Sequence, residues 1–579
     1  MIRKYSLSVL IVFCFIACSL RIGKAQTGQP FVLDMVHHNP GEPLTKTAFS
    51  DPEYLRSYGY NGIVVNDFTF AHAALTYDSL NRDIFPAGSK ERAWVMSAAE
   101  RVRQNISRAK KAGLQVYYFT DMVVVPKKLA EIYRDEIVDG DGKITFDRPK
   151  TIEIHKVMLA ELFEKFPDLD GLVIRTGETY LNNVPYHTGN NPITRGVESH
   201  VKLIDFLKDE VAIKRNKKVF YRTWLSAGMH EKPEVYLSVT NQISPHPNLI
   251  FSIKHTKGDF HRTFDFNPTL TLGKHPQIVE VQCQREYEGK GAYPNYIAEG
   301  VINGFEEFAS NTPQTGYKGL AEIKSHPNVR GVWTWSRGGG WVGPFITNEF
   351  WPRLNAFVIS RWMKSPGASE EQIFDQFMVE NGVSKKSRKV FRELCLLSAK
   401  AVLRGHNSAS LEWNGRWVWW TRDEFLSGTD GPILSSAFEK LYSSSLLDDA
   451  VEEKYQALKL WLEIEALSLK IKIASKEDER YIRTSSRYGR LLHEIIAEGW
   501  NVMALGFEGD KTGQYDIAKI KGSIQRYDRA WESYRKLKRS DPAAATLYRP
   551  YQFVFRASGY HSTAGLDASV NKYRQINLD

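Results

Sequence analysis

A chain of 579 residues with 42% hydrophobic and 25% charged residues has a globular composition, which excludes a disordered or fibrous protein and leaves room for a large domain plus a second one. The formal charge is +10, and four of those charges, Arg3, Lys4, Arg21 and Lys24, sit in an N-terminal segment without acidic residues. The remaining excess suits an anionic substrate only weakly, because charge governs association rather than chemistry, and without a concentrated Lys/Arg run nucleic acid is excluded as a partner.

The first element is an export signal, residues 1–25, in which Arg3 and Lys4 precede an apolar run from Leu7 to Ala17 that is too short for a membrane span. Cleavage after Ala25 starts the mature chain at Gln26 and leaves it without a transmembrane segment. The imperfect lipoprotein box Phe15-Ile16-Ala17-Cys18 offers another outcome, a lipidated Cys18 and an outer-membrane anchor. The expected location is secreted or periplasmic in the first case. Cys14 and Cys18 belong to this segment, so only Cys283 and Cys395 remain, and no disulfide framework or cysteine metal site follows.

Eight short apolar, β-branched or aromatic runs come next: Phe31–Val36, Gly62–Asn66, Gln115–Phe119, Gly171–Arg175, Lys218–Trp224, Leu249–Lys254, Ile278–Gln282 and Val329–Thr334. Helix-period stretches separate most of them, such as Ala98–Ala112, stopped by Gly113, and Ile152–Phe166, stopped by Pro167. Eight strands with helical crossovers predict an α/β fold, a (β/α)8 TIM barrel over residues 26–365. Beyond Lys364 the strand-like runs stop. Val451, Tyr455, Leu458 and Leu462 recur at helical spacing, and an all-helical C-terminal domain is expected over 366–579, joined through Ser365-Pro366-Gly367-Ala368-Ser369 with Glu370 and Glu371 in a first helical turn.

In such a barrel the chemistry sits at the C-terminal ends of the strands. The fourth run ends in Arg175 and Glu178 around Gly177, the fifth in Arg222, and the sixth in Lys254-His255 with Asp259 five residues on. Three cations at one rim call for an anion, either protein carboxylates or the carboxylate of a uronic acid, which Arg binds through two parallel hydrogen bonds. Period-2 alternation along the seventh run puts Glu280, Gln282, Gln284 and Glu286 on one face. Glu178, Asp259 and Glu286 thus supply the carboxylates that glycoside hydrolysis needs, one as acid and one activating water. Tyr287, Trp341 and Trp351 are candidate stacking surfaces for sugar rings, while Trp333 and Trp335 fit core as well as wall. His37-His38, His187 and His200 lack the spacing of a zinc site, and Gly338-Gly339-Gly340 lacks the Lys-Ser/Thr of a phosphate cradle, so neither metal nor organic cofactor is expected.

Tyr60-Asn-Gly-Ile-Val-Val-Asn66, Phe166-Pro-Asp-Leu-Asp-Gly171 leading to Glu178, Lys254 with Asp259-Phe260, and Gln284-Arg-Glu286-Tyr287-Glu-Gly289 resemble segments of family 67 glycoside hydrolases, the α-glucuronidases of xylan fragments. The resemblance implies an inverting hydrolase of α-linked (4-O-methyl)glucuronic acid, with Glu178 as acid and Asp259 with Glu286 as the base pair. It places Arg175, Arg222, Lys254 and Asn66 on the substrate, and a homodimer would form through the helical domain. Departures are the lack of the family's extra N-terminal domain, the loop around His37–Glu42 and the insertion Tyr180–Arg195. Other readings of the same residues are hydrolysis of a different uronide, a silent barrel that binds acidic glycans, and a polysaccharide lyase, for which no Tyr/His or metal arrangement is evident.

Overall fold

The computed structural model describes residues 28–40, 43–224, 228–309, 316–339, 344–412, 431–547 and 566–576. The export segment 1–25 with Cys14 and Cys18, the tip of the His37–Glu42 loop and Trp341 lie outside them. The chain divides into Met1–Pro30 and a compact unit Phe31–Asp579. All the elements below belong to the second.

Among the described residues there are ten strands: β1 (Phe31–His37), β2 (Gly62–Val65), β3 (Gln115–Asp121), β4 (Val124–Pro126), β5 (Gly171–Arg175), β6 (His187–Gly189), β7 (Lys218–Arg222), β8 (Leu249–Lys254), β9 (Gln277–Gln282) and β10 (Val329–Gly338). Eight of them close a parallel barrel in the order β1-β10-β9-β8-β7-β5-β3-β2, as the eight sequence runs predict. The other two, β4 and β6, pair antiparallel above the mouth, so part of the insertion after β5 folds back on the loop after β3.

Alternation along each strand decides what fills the barrel. Inward positions supply Leu33, Met35, Val64, Tyr117, Phe119, Val173, Phe220, Ile250, Ile278, Trp333 and Trp335, a continuous apolar plug. Trp333 and Trp335 are therefore core and floor. The register of β1 on β10 shifts between Met35 and Val36, which brings Arg337 opposite Val36 and Gly338 opposite His37. Such a bulge re-aims side chains at the rim. Gly338 has φ +87, and a Cβ there would lie 1.7 Å from the His37 carbonyl oxygen, so only glycine permits this approach.

Helices Lys90–Lys111 and Pro149–Lys165 are the crossovers expected from sequence, each with the predicted stop. The connection from β8 to β9 departs from the pattern, with turns and no helix between Lys254 and Gln277. Past β10 the described structure is helical throughout. Ser369 caps helix Glu370–Glu380 in a reciprocal capping box with Gln372, at the predicted joint.

The 37-residue helix Lys476–Thr512 organises the helical region and reaches the barrel. Tyr481 Oη donates to the Gly291 carbonyl at 2.7 Å, and Arg353 donates to Asp478 at 2.7 Å. The stripe expected on helix Leu447–Ser468 is displaced. Val451, Lys454, Ala457, Trp461 and Ile464 are buried, whereas Leu462 is exposed. A buried lysine hides this face from an apolar pattern. Lys454 Nζ donates to the carbonyls of Arg404 (2.8 Å) and Asn407, closing the C-terminus of helix Lys385–His406.

The Asp34 carboxyl is among the buried carboxyls outside the barrel bore. Asp34 points outward from β1 and is fully buried, accepting from Thr334 Oγ1 (2.6 Å) and Ser336 Oγ (2.7 Å). Burial pushes its pKa up to about 7 despite these bonds. A carboxyl raised in the folded state stabilises fully below its unfolded pKa near 4, and the contribution is lost as pH rises through 7. Asp34→Asn removes this dependence: between pH 4 and 8 the unfolding free energy of the wild type falls relative to the variant by up to about 4 kcal/mol. Parallel urea curves with a constant offset across that range would contradict this.

Candidate active site

The mouth of the barrel is built by the last inward residue of each strand. Arg175 ends β5 and forms a two-pronged ion pair with Asp121 at the end of β3, Nε to Oδ1 at 2.7 Å and Nη2 to Oδ2. Arg222 ends β7 and pairs in the same way with Glu280 of β9, both bonds 2.9 Å, and Ser252 Oγ donates to the same carboxylate at 2.9 Å. Lys254 ends β8 and bonds Asp259 Oδ1. All three cations are buried.

Of the two sources of anion that the sequence left open, protein carboxylates are present: Asp121, Glu280 and Asp259 each pair with one of the three cations. An unpaired buried guanidinium costs several kcal/mol, which these carboxylates offset. Aromatic faces complete the seat: Arg175 lies over Tyr180 (4.7 Å), Arg222 over Trp335 (5.1 Å), and Lys254 over Trp224 (3.9 Å). Asp121 was not singled out from the sequence, although its place at the end of an apolar run is the same signal that marked Arg175.

Asp259 sits in the helix-free loop after β8 with φ +53, a left-handed conformation unusual for a non-glycine residue. Its second oxygen accepts from Tyr287 Oη, and Tyr287 stacks on His261 at 3.9 Å. Burial alone would raise this carboxyl. Lys254, His261 and the two hydrogen bonds outweigh that and hold it below the usual carboxylate range. Glu286, also buried, follows β9, and its backbone N–H donates to Gln282 Oε1 at 2.8 Å. A Cβ on Gly339 would lie 2.4 Å from Glu286 Oε2, so Gly339 presses directly against this carboxylate. Arg285, with φ +62, folds back on Glu288 and fixes the loop between.

Glu178 is exposed, in the bend after β5, close enough to Arg175 and Asp121 to act on both electrostatically. Its strand stands two places round the eight-strand ring from β8 and three from β9, so its loop stands at the same rim as those of Asp259 and Glu286. Asn66, buried at the end of β2, donates from Nδ2 to His37 Nδ1 at 2.8 Å, and His37 stacks on Trp335 at 4.7 Å. That bond leaves the His37 proton on Nε2. Burial, then Arg175 and Arg222, lower the His37 pKa well below its ordinary value, so the ring is a neutral donor. Sequence spacing gave His37 no role because its partner lies on another strand.

Trp351 corrects one expectation. It belongs to helix Phe350–Lys364, is 1% exposed, stacks on Phe391 and donates from Nε1 to Ser485 Oγ at 3.0 Å. It joins barrel to helical region and offers no face to a sugar. Helical spacing within Phe350-Trp351 would have signalled core.

The ion pairs make a stability prediction. Glu280→Gln leaves Arg222 buried without its counter-charge and destabilises the fold by about 3–5 kcal/mol, whereas Arg222→Met with Glu280→Leu recovers most of that loss. Urea denaturation of the two variants checks it, and a single variant as stable as the wild type would contradict it.

No protein-family model matches the chain, and no curated protein matches it. Among solved structures, the chain is similar to a family GH138 enzyme targeting pectin rhamnogalacturonan II, with TM-score 0.56 and 12% identity over 98% of this chain and 69% of that one. It also matches a mutant O-GlcNAc hydrolase of Thermobaculum terrenum (TM-score 0.39, 8% identity, 94% and 93% covered) and a chitobiase of Flavobacterium johnsoniae (TM-score 0.36, 12% identity, 88% and 78% covered). These neighbours are glycoside hydrolases, and the first of them shares with this chain the barrel followed by helices.

Proposed function

We propose that the chain is a glycoside hydrolase acting on a uronic-acid-bearing glycan outside the cytoplasm, with its chemistry at the open end of the barrel. The observation that carries this reading is the presence of two buried carboxylates on adjacent loops, Glu286 after β9 and Asp259 after β8, at the same rim as an exposed third, Glu178. Both Asp259 oxygens are engaged, one by Lys254 and one by Tyr287. In this reading Asp259 is a fixed negative charge that orients Tyr287, and Glu286 takes the proton of the attacking water.

The reaction balances with three groups. Water adds to the anomeric carbon as Glu286 accepts its proton, the glycosidic C–O bond breaks, and Glu178 donates a proton to the departing oxygen. Attack from the side opposite the leaving group inverts the anomeric centre. Arg175 and Arg222 position the floor through their carboxylate partners. His37 offers its Nε2 proton to a sugar hydroxyl, and Asn66 holds that tautomer.

For the sugar itself, resemblance to the family 67 enzymes favours an α-linked glucuronic acid. A second reading, a different uronide, is favoured by the neighbour described as targeting pectin, an acidic polysaccharide.

The test is release of free uronic acid from aldouronic oligosaccharides and from oligogalacturonides. The wild type is expected to release it from one set, and Glu286→Gln and Glu178→Gln to lose about 10²–10⁴-fold in kcat. Glu178→Gln should regain rate on a substrate whose leaving group needs no proton. Asp259→Asn should lower kcat without moving the acid limb of kcat/KM, because Asp259 stays ionised through that range. Binding without release would favour a silent glycan-binding barrel, and an unsaturated product absorbing in the ultraviolet would favour a lyase.

A further inference from the structure

Beside the three paired rim cations lies a second cluster of cations, in a neighbouring cavity. It measures about 490 Å³, within the range of small-molecule sites, and lies between the loops that follow β1, β9 and β10. Lys46, Lys290 and Arg337 line it, and its described lining contains no Asp or Glu.

Two of these cations are inside the protein. Lys290 is 3% exposed and Arg337 5%, so the cavity is not an ordinary solvated basic surface. Arg337 is oriented from behind: its Nε donates to Glu349 Oε1 at 2.6 Å, while Glu349 Oε2 accepts from the Ala48 backbone at 3.2 Å. A guanidinium held through Nε still has its two terminal nitrogens, the fork that fits a carboxylate. Gln284 ties the walls together, accepting from Gly338 N–H and donating to the Lys290 carbonyl at 3.1 Å.

Apolar side chains stand beside the charges. Leu44 and Phe345 line the same cavity and are 57% and 52% exposed, a surface on which a pyranose face packs. The Phe345 backbone is fixed to the end of the helical region, its N–H donating to Thr546 Oγ1 at 2.6 Å and its carbonyl accepting from Thr546 N–H at 2.9 Å. Gly339 lines the cavity and also abuts Glu286. The cavity therefore opens beside the carboxylate assigned to water activation.

We propose that this cavity is the uronate subsite: Arg337 and Lys290, with Lys46 at the edge, bind the carboxylate of a glycan's uronic acid residue while Leu44 and Phe345 pack its ring. The proposal rests on the glycosidase reading for its distance from the chemistry, and its test separates the two.

Binding is measured by calorimetry on the full chain carrying Glu286→Gln, using trigalacturonic acid and an aldotetraouronic acid, each beside its carboxyl-reduced form. One acid is expected to bind about ten-fold more tightly than its reduced counterpart, the increment of one charge-assisted contact. Arg337→Gln should bring that preference to about two-fold or less and leave the reduced form's affinity unchanged. Lys46→Ala, at an exposed position that folding does not depend on, should reduce the preference by about two- to three-fold. Equal binding of acid and reduced forms, binding of neither, or a preference that survives Arg337→Gln and Lys46→Ala would overturn the proposal. Hydrolysis of reduced oligosaccharides by the wild type without acid preference would leave the glycosidase reading standing and remove this subsite. Acid binding lost in Arg337→Gln, in a wild type that hydrolyses nothing, would do the reverse.

Discussion

Taking a guanidinium or an ammonium out of water costs several kcal/mol unless a counter-charge goes with it. The open end of this barrel buries three such groups, each matched by one carboxylate: Arg175 by Asp121, Arg222 by Glu280 and Lys254 by Asp259. The first two pairs link β5 to β3 and β7 to β9, staying inside the strand framework. The third reaches into the loop after β8 and draws Asp259 into a left-handed turn. Strain there is tolerable because Lys254, Tyr287 and the Thr256 hydroxyl hold the turn from three sides.

That neutralisation shapes what the site does. A mouth with open cations would bind any anion, including its own acidic loops. A mouth with paired cations is a polar floor, at whose rim Glu286 is buried and Glu178 exposed. The neutral His37 fits the same scheme, since the surrounding positive field and burial both oppose a proton on it. In the proposed reading, selectivity for an acidic sugar falls to Arg337 and Lys290. Arg337 reaches its place because a bulge at Ser336 shifts the register of β10 against β1, and Phe345 is held by Thr546 of the helical region.

Much of the barrel was legible because its strands are short apolar runs at regular spacing, and Gly171–Arg175 and Leu249–Lys254 were delimited to the residue. The polar ends of those runs marked Arg175, Arg222 and Lys254 as mouth residues. Their partners were less legible, since pairing across strands is set by barrel closure rather than by separation along the chain. The β8–β9 connection carries no periodic signal, so its turns and the left-handed Asp259 could not be read. Lys454 and Trp351 illustrate the opposite limits: a buried lysine breaks an apolar stripe, and a tryptophan near a site motif looks like a sugar platform until its helix is seen to face Ser485.

The central claim is that a water molecule at this mouth displaces a glycosidic oxygen from the opposite face of a uronide. Proton NMR of the first product formed from an α-linked uronide, read before mutarotation, tests it most directly. The account predicts free uronic acid appearing first as the β anomer. A first-formed α anomer would contradict inversion, and an unsaturated uronate would contradict hydrolysis altogether.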